Sequence, residues 1–262
     1  YIKEILKEDT TSEKETKEIL KFAKQLHEDL RNYGNLQDTQ KPLVVSGILL
    51  ALREIEKKSF NLDDLNGDNV ETDGEKIFNA IDKNLKRSNV QPSVKKEKLL
   101  NQFSLIKDTK ILNELNKTLG KTPLKYYAEQ INDNIFKHQK FMHTSEDFLG
   151  RFYGEFMSYS GGDGQNLGII LTPKHITELF CDLADLKTND IVFDPCCGTA
   201  GFLIASMHNM ICKAKDEKIK DNIRKNQLHG IELQPYMFTI ATTNMILRGD
   251  GKSNLIDEDR KS

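Results

Sequence analysis

Residues 191–203, with the sequence IVFDPCCGTAGFL, decide the fold of this chain. Three apolar residues end in Asp194, a proline and a glycine-containing turn follow, and an apolar helical pattern begins at Phe202. A strand that ends in an acid and turns sharply into a helix forms a ligand pocket at the carboxyl edge of a parallel sheet. Gly198 and Gly201 predict a close approach of backbone to ligand, because a Cβ atom there would collide with it.

The residues around this stretch alternate between helix and strand patterns. A helix is expected to open at Thr172 and Pro173, with its apolar residues on one face. The patterns then predict a strand over 191–193, a helix over 202–212, a charged helix extension and loop over 213–226, a strand over 228–233 and a helix over 235–247. Alternating strands and helices indicate a parallel α/β sheet, and the run at 191–193 is typical of a buried strand.

The first part of the chain has a different pattern. Apolar residues recur there at helical spacing, for example in a helix opened by Pro42 and in another over 145–157. Strand-type alternation does not persist before about residue 165. We therefore expect an all-helical domain over 1–157, a glycine-rich hinge over 158–168 and the first part of an α/β domain over 169–262.

The composition argues against several classes of protein. Of the 262 residues, 30% are charged and 37% hydrophobic, and the formal net charge is −2. Neither a membrane-spanning apolar run nor a secretory signal is evident, so we expect a cytoplasmic protein without a membrane partner. The cysteines are Cys181, Cys196, Cys197 and Cys212. Since they form no C-x-x-C pair, we expect neither a metal site nor disulfides.

Two acids at the predicted strand ends indicate the chemistry of the ligand. Asp194 ends the first strand and Glu232 the second, where a carboxylate can accept hydrogen bonds from both hydroxyls of a ribose. A dinucleotide-binding turn contains three glycines, whereas this turn has two, and Asp194 stands where it would repel a pyrophosphate. A P-loop requires Gly-Lys-Ser/Thr after the strand, which this chain lacks. A ligand with a cationic amine and a ribose but no phosphate fits both acids, and S-adenosylmethionine is such a ligand.

Three motifs, in order and spacing, resemble the adenine-N6 DNA methyltransferases. They are GIILTPK at 168–174, DPCCGTAGFL at 194–203 and GIELQP at 230–235. The segment DFLGRFYGEF at 147–156 is similar to the helix that precedes these motifs in that family. Within the family, the chain resembles most the modification subunit of type I restriction systems. The resemblance implies a Rossmann-like, S-adenosylmethionine-dependent methyltransferase domain, truncated here, behind a helical N-terminal domain.

The resemblance also assigns cofactor-binding roles. Asp194 matches the acid that faces the methionine amino group, and Glu232 matches the ribose-binding acid. The predicted cofactor-binding residues are Ile169, Ile170, Leu171, Thr172, Pro173, Lys174, Asp194, Cys196, Gly198, Thr199, Ala200, Gly201, Glu232 and Leu233. An acid near the adenine ring follows in the family, and both Asp257 and Asp259 are candidates.

Plainer roles compete with these assignments. In these roles Asp194 is a helix cap and Gly201 a packing glycine, Thr172 is a helix cap before Pro173, and Glu232 is an exposed strand end. The sequence departs from the family pattern at Cys196 and Cys197, where small residues are typical, and at Lys174, where arginine is common.

The catalytic motif of this family, Asn/Asp-Pro-Pro-Tyr/Phe, is absent from the sequence. In the family its amide and carbonyl oxygens hold the adenine amine, and its aromatic residue stacks on the flipped base. No two of the six prolines are adjacent, so no catalytic residue is assigned. We expect these 262 residues to bind the cofactor without methylating DNA alone, and the incomplete sheet to leave an unpaired edge.

These features predict the N-terminal part of a site-specific adenine-N6 DNA methyltransferase, the modification subunit of a type I restriction-modification system. The resemblance implies DNA, a specificity subunit and a restriction (nuclease) subunit as partners. Two alternatives remain open. One is the methyltransferase part of a single-chain restriction-methylation enzyme with a nuclease domain before Tyr1, and the other is a non-catalytic, methyltransferase-like scaffold.

Overall fold

A computed structural model describes residues 21–68, 70–138, 154, 172–250 and 254–257 of the chain. Several predicted features lie outside these residues. They are nearly all of the helix over 145–157, the hinge over 158–168, the cofactor-binding residues Ile169, Ile170 and Leu171, and Asp259. Both predicted domain boundaries fall there too, so the division of the chain stays a prediction.

The first part of the chain is helical, as its periodicity predicts. Its helices are α1 over 21–34, α2 (Gln40–Glu56), α3 (Asp73–Arg87), α4 (Ser93–Phe103), α5 (Leu105–Asp108), α6 (Lys110–Asn113) and α7 (Pro123–Asn134). Single turns of 3-10 helix occupy Leu62–Asp64 and Phe136–His138. Within the described part of this region, strand-type pairing is limited to an isolated bridge between Asn116 and Lys121.

Local sequence signals explain where these helices begin. Thr72 and Glu75 form a reciprocal capping box at the start of α3, and the Thr122 hydroxyl caps α7 ahead of Pro123. The prediction for α2 was wrong in detail, because the helix begins at Gln40 and not at Pro42. Pro42 is tolerated inside the first turn, since the first four N–H groups of a helix have no partner within the helix.

The second part alternates helices with the strands of a parallel sheet. Its elements are α8 (Lys174–Leu183), β1 (Val192–Asp194), α9 (Gly201–Lys213), α10 (Glu217–Asn226), β2 (Leu228–Ile231), α11 (Pro235–Leu247) and β3 (Asn254–Ile256). The described strands lie in the order β1–β2–β3, and both pairings are parallel. The carboxyl ends of all three strands therefore meet at one edge, as the alternating pattern predicts.

Three local predictions need correction. The charged segment forms a separate helix, α10, which the Asp216 side chain caps, and β3 had no strand signal in the sequence. The apolar run at 191–193 is not buried, because Ile191 is 71% exposed and Phe193 59% exposed. β1 pairs with β2 on one side only among the described strands. Among the described strands the run therefore lies at the edge of the sheet, with an exposed apolar face.

Helix α11 joins the two parts of the molecule. Its residues from Met237 to Leu247 are all buried, because α2 and α4 pack against it as well as the sheet. A helix that is apolar on every side is stable only when it is covered on every side. The Arg53 guanidinium of α2 also donates to the Ile246 carbonyl near the end of α11. One cluster of buried apolar side chains consequently runs through both parts.

None of the described helices has the length and apolar character that a membrane span requires. Likewise, the described residues contain no group of three or more His, Cys, Asp or Glu side chains placed to hold a metal ion.

Candidate functional site

Backbone hydrogen bonds hold the turn after β1, and one of them joins the turn to the neighbouring strand. The Cys197 amide donates to the Ile231 carbonyl at 2.9 Å, and the Ala200 amide donates to the Cys197 carbonyl at 2.7 Å. The first bond holds the turn over the carboxyl end of β2, and the second closes the turn on itself. The turn and the strand end that the sequence predicted to form one pocket are thus adjacent in the fold.

Glu232 connects the turn after β1 to the end of β2. Its Oε2 accepts a hydrogen bond from the Gly198 amide at 3.1 Å, and its Oε1 accepts one from the Gln234 amide at 2.8 Å. Each carboxylate oxygen has two lone pairs, so both oxygens keep acceptor capacity for a ligand. Glu232 is therefore not an isolated, exposed strand end. It lies between the turn and the start of α11, while Leu233 beside it is 52% exposed.

Asp194 has a structural role in the turn. Its Oδ1 accepts a hydrogen bond from the Cys196 amide at 3.0 Å and so caps the turn. It does not cap the following helix, whose N-cap position is Ala200, so the plainer role as a helix cap was wrong. The bond occupies one lone pair of the carboxylate and leaves the others for a ligand amine. The cap is compatible with the predicted cofactor role, which stays a prediction.

Two residues of the turn have left-handed backbone conformations, and one of them is not a glycine. Gly198 has φ of 55° and open space around it, since a Cβ atom there would meet nothing closer than Met237 Cε at 4.0 Å. The second left-handed residue is Ala200, with φ of 73°, and not Gly201, which begins α9. A left-handed non-glycine residue costs roughly 1–2 kcal/mol. The buried surroundings of Ala200 hold it in this conformation.

The two neighbouring cysteines of the turn have different roles. Cys197 is buried against β2, and burial, together with the charges of Asp194 and Glu232, raises its pKa to about 12. A thiol with such a pKa stays protonated and unreactive at neutral pH. Gly230 of β2 makes room for it, because a Cβ atom there would lie 2.9 Å from Cys197 Sγ. Cys196 is exposed on the opposite side.

The structure also shows a brace that sequence reasoning missed. The Asn244 side chain, buried in α11, donates to the Thr199 carbonyl at 2.8 Å. Its own Oδ1 accepts from Arg248 Nη1 at 3.1 Å. The sequence signal that could have revealed this brace is the amide of Asn244 within an otherwise mostly apolar helix, because buried polar groups are almost always hydrogen-bonded.

Three predicted cofactor-binding residues lie at the start of α8, namely Thr172, Pro173 and Lys174. Thr172 and Pro173 are exposed, and Lys174 pairs with Glu178 at 3.7 Å. Pro173 itself occupies the N-cap position of α8, so the expectation that Thr172 caps the helix was wrong. Whether this segment binds a ligand stays a prediction.

A cleft of about 310 Å³ opens on the α8 side of β1. Its lining is mostly apolar and includes Phe180, Phe193, Asp194 and Phe202, but neither Gly198 nor Glu232. The cleft therefore lies beside the pair of acids, and only Asp194 belongs to both places.

Comparison with known proteins supports a relationship over this region. Residues 144–259 match the family model described as N-6 DNA Methylase. This segment is similar to the N-6 DNA methylases. The whole chain is 48% identical over 254 residues to the type II restriction enzyme and methyltransferase RM.BcgI of Heyndrickxia coagulans. That alignment covers 96% of this chain and 39% of RM.BcgI, so the chain spans well under half of that relative.

The chain is also similar to methylase subunits of type I restriction enzymes. The MjaIX methylase subunit of Methanocaldococcus jannaschii is 28% identical over 117 residues, which are 44% of this chain and 20% of that subunit. Among solved structures, a type I modification subunit from Vibrio vulnificus matches with a TM-score of 0.61 at 15% identity. The match covers 93% of this chain and 56% of that one, and it shows a shared fold over both the helices and the sheet.

Proposed function

We propose that this chain provides the cofactor-binding part of an S-adenosylmethionine-dependent adenine-N6 DNA methyltransferase of a restriction-modification system. The observation that carries the proposal is the hydrogen bond between the Gly198 amide and the Glu232 carboxylate. It brings the glycine turn and the acid of the next strand to one edge of the sheet, where α/β proteins bind nucleoside-containing ligands.

The residues at this edge fit S-adenosylmethionine. Gly198 leaves space over the turn, Glu232 offers acceptors for the ribose hydroxyls, and Asp194 offers an acceptor and a negative charge for the methionine amine. Two carboxylates at this edge disfavour a ligand that carries phosphates. When bound, the cofactor supplies the methyl group for transfer. The role of this chain is to bind and orient it, since the catalytic Asn/Asp-Pro-Pro-aromatic motif is not among these residues.

Titration calorimetry of the intact protein with S-adenosylmethionine tests the proposal. Loss of charge-assisted hydrogen bonds to the ribose in Glu232→Gln is expected to weaken binding by about 10- to 100-fold. Glu217→Gln is the matched control, because Glu217 lies on the exposed surface of α10 and pairs with Lys220. Equal affinities in both variants, or no binding by the unaltered protein, would refute the proposal and favour a non-catalytic scaffold.

The similarity to RM.BcgI supports a second candidate for the architecture of the whole protein. The 48% identity extends over 96% of this chain, including the helices, and that relative's name gives both a restriction enzyme and a methyltransferase. A type I modification subunit would instead act on DNA with a separate specificity subunit and a separate nuclease subunit. DNA cleavage by the purified single protein favours the single-chain enzyme, whereas cleavage that requires added subunits favours the type I assembly.

A further inference from the structure

A buried hydrogen-bond network joins the end of α11 to the turn after β1. Arg248 Nη1 donates to Asn244 Oδ1 at 3.1 Å, and Asn244 Nδ2 donates to the Thr199 carbonyl at 2.8 Å. All three residues are buried, and Asn244 is fully buried. Thr199 and Asn244 lie 45 residues apart in the sequence, so the network ties two distant segments together. These bonds constitute the Asn244 network.

The chemistry of its two ends fixes the orientation of the Asn244 amide. A guanidinium has donors only, so Arg248 requires the amide oxygen on its side. A backbone carbonyl has acceptors only, so Thr199 requires the amide nitrogen on the other side. Position 244 therefore needs a side chain that accepts at one end and donates at the other. An aspartate of the same shape presents oxygens at both ends, and a leucine can neither accept nor donate.

The end of α11 that carries Arg248 is itself held in place. Arg248 Nη1 also donates to the Asn244 carbonyl at 3.3 Å, within the same helix. The Arg53 guanidinium of α2 donates to the Ile246 carbonyl, and both α2 and α4 pack against α11. The Asn244 network is therefore anchored in the packed interface between the helical part and the sheet.

At its other end the Asn244 network fixes a strained part of the turn. Ala200 follows Thr199 directly and has the left-handed φ of 73°, which is unfavourable for a residue other than glycine. The Ala200 carbonyl also begins α9, because it accepts from the Ile204 amide at 2.9 Å, and no described side chain caps that helix. The bond from Asn244 thus directs the carbonyl before Ala200 toward α11. It holds the segment between Gly198 and α9 in one shape.

We propose that Asn244 is a positioning residue for S-adenosylmethionine, and that Arg248 orients the Asn244 amide for this role. Asn244 acts through the backbone of the turn, which it fixes before the ligand arrives. A site that is already ordered binds without the entropic cost of ordering it. Without the bond to Thr199, the cofactor has to order the turn when it binds, and its affinity falls. This inference rests on the proposed function, because it concerns the same site.

Titration calorimetry of the intact protein with S-adenosylmethionine tests the role of Asn244. Asn244→Leu is expected to weaken binding by about tenfold, the value of roughly one hydrogen bond. Asn244→Asp keeps the acceptor for Arg248 and loses the donor to Thr199, so it is expected to weaken binding by about as much. Arg248→Met leaves the amide without its orienting donor and is expected to weaken binding by about threefold to tenfold. Arg248→Lys keeps a donor and should lose less.

The control separates positioning from general loss of stability. A merely structural role of Asn244 would lower the fraction of folded protein, and so the number of binding sites measured, without changing the affinity of the folded molecules. Glu54→Gln removes a buried carboxylate that accepts from Asn84 and Arg87 within the helical part. This variant is expected to lose stability as Asn244→Leu does, but to bind S-adenosylmethionine with the affinity of the unaltered protein.

The outcomes distinguish this inference from the proposed function. Unchanged affinity in the variants of Asn244 and in Arg248→Met, together with weaker binding by Glu232→Gln, overturns this inference alone. An equal loss of affinity in Glu54→Gln also overturns it, because general destabilisation then explains the effect. If Asn244→Leu does not fold, Asn244→Asp and Arg248→Met decide. If the unaltered protein does not bind S-adenosylmethionine, the proposed function falls as well.

Discussion

Replacement of Asn244 by leucine tests whether α11 braces the turn after β1. Leucine has the same number of side-chain heavy atoms in the same branched arrangement, so the change removes the amide without opening a cavity. It leaves the buried Thr199 carbonyl without the donor at 2.8 Å and Arg248 without the Oδ1 acceptor at 3.1 Å. Each buried group that loses a hydrogen bond of this kind costs about 1–3 kcal/mol, while Arg248 Nη1 keeps its bond to the Asn244 carbonyl at 3.3 Å. We expect the free energy of unfolding to fall by about 2–4 kcal/mol.

Thr242 provides a matched control on the same helix, with an effect of opposite sign. Its hydroxyl is buried and has no hydrogen-bond partner among the described residues. Thr242→Val keeps the shape of the side chain and removes an unsatisfied polar group. We expect this variant to be more stable by about 1 kcal/mol.

Urea unfolding followed by circular dichroism measures both effects, and hydrogen–deuterium exchange of peptides over 195–204 measures the local one. In Asn244→Leu the amides of the turn are expected to exchange at least about tenfold faster, since 1.4 kcal/mol corresponds to a factor of ten. Exchange in Thr242→Val should be unchanged or slower. The reasoning is refuted if Asn244→Leu leaves stability and exchange unaltered, or if Thr242→Val destabilises the protein as much.

Three further predictions concern buried groups elsewhere. Lys95 has a folded pKa of about 8 against 10.5 for the free side chain, so unfolded chains bind the proton more tightly. The free energy of unfolding is therefore expected to rise between pH 7 and 9.5, by about 2 kcal/mol more in the unaltered protein than in Lys95→Met. Urea unfolding measures both proteins over this range, and parallel pH profiles would contradict the prediction. In Glu54, burial raises the pKa, but hydrogen bonds from neighbours that include Arg87 outweigh it and keep the pKa below its ordinary value. Its contribution is thus present above the unfolded pKa and lost in acid. Glu54→Gln should cost about 2–4 kcal/mol at pH 7 and less near pH 3, as thermal unfolding at the two pH values will show. Gly230→Ala places a Cβ atom 2.9 Å from Cys197 Sγ and should lower the free energy of unfolding in urea by about 1–3 kcal/mol. The double variant Gly230→Ala with Cys197→Ala should recover part of this loss. If the losses of the two single variants simply add in the double variant, the clash is refuted.

Short-range patterns in the sequence predicted much of the architecture. The turn at 194–201, the helices that flank it and the parallel order of β1 and β2 follow from apolar spacing and turn residues that are close together in the chain. The pairing of Asp194 and Glu232 at one edge also followed, because parallel strands place their carboxyl ends together. β3 was not predicted, because a strand of only three residues with polar residues around it carries little periodic signal.

The details that failed depend on what lies next to each element. An apolar run such as 191–193 is compatible with a buried or an edge strand, and only the neighbours decide which. The left-handed backbone at Ala200, on which the sequence made no prediction, also depends on neighbouring residues. The surrounding packing imposes it on a residue whose own preference is against it.

The sequence by itself therefore determined a helical part followed by an α/β sheet, with a glycine turn and two acids at the edge of that sheet. Only the tertiary structure decided which groups hold that edge in place: Asn244 beneath the turn, and Lys95 and Lys98 at the end of β3. The physical reason is sequence separation. The partners of Lys95 and Lys98 lie about 160 residues away, and no local pattern specifies a contact that forms only when two packed layers meet.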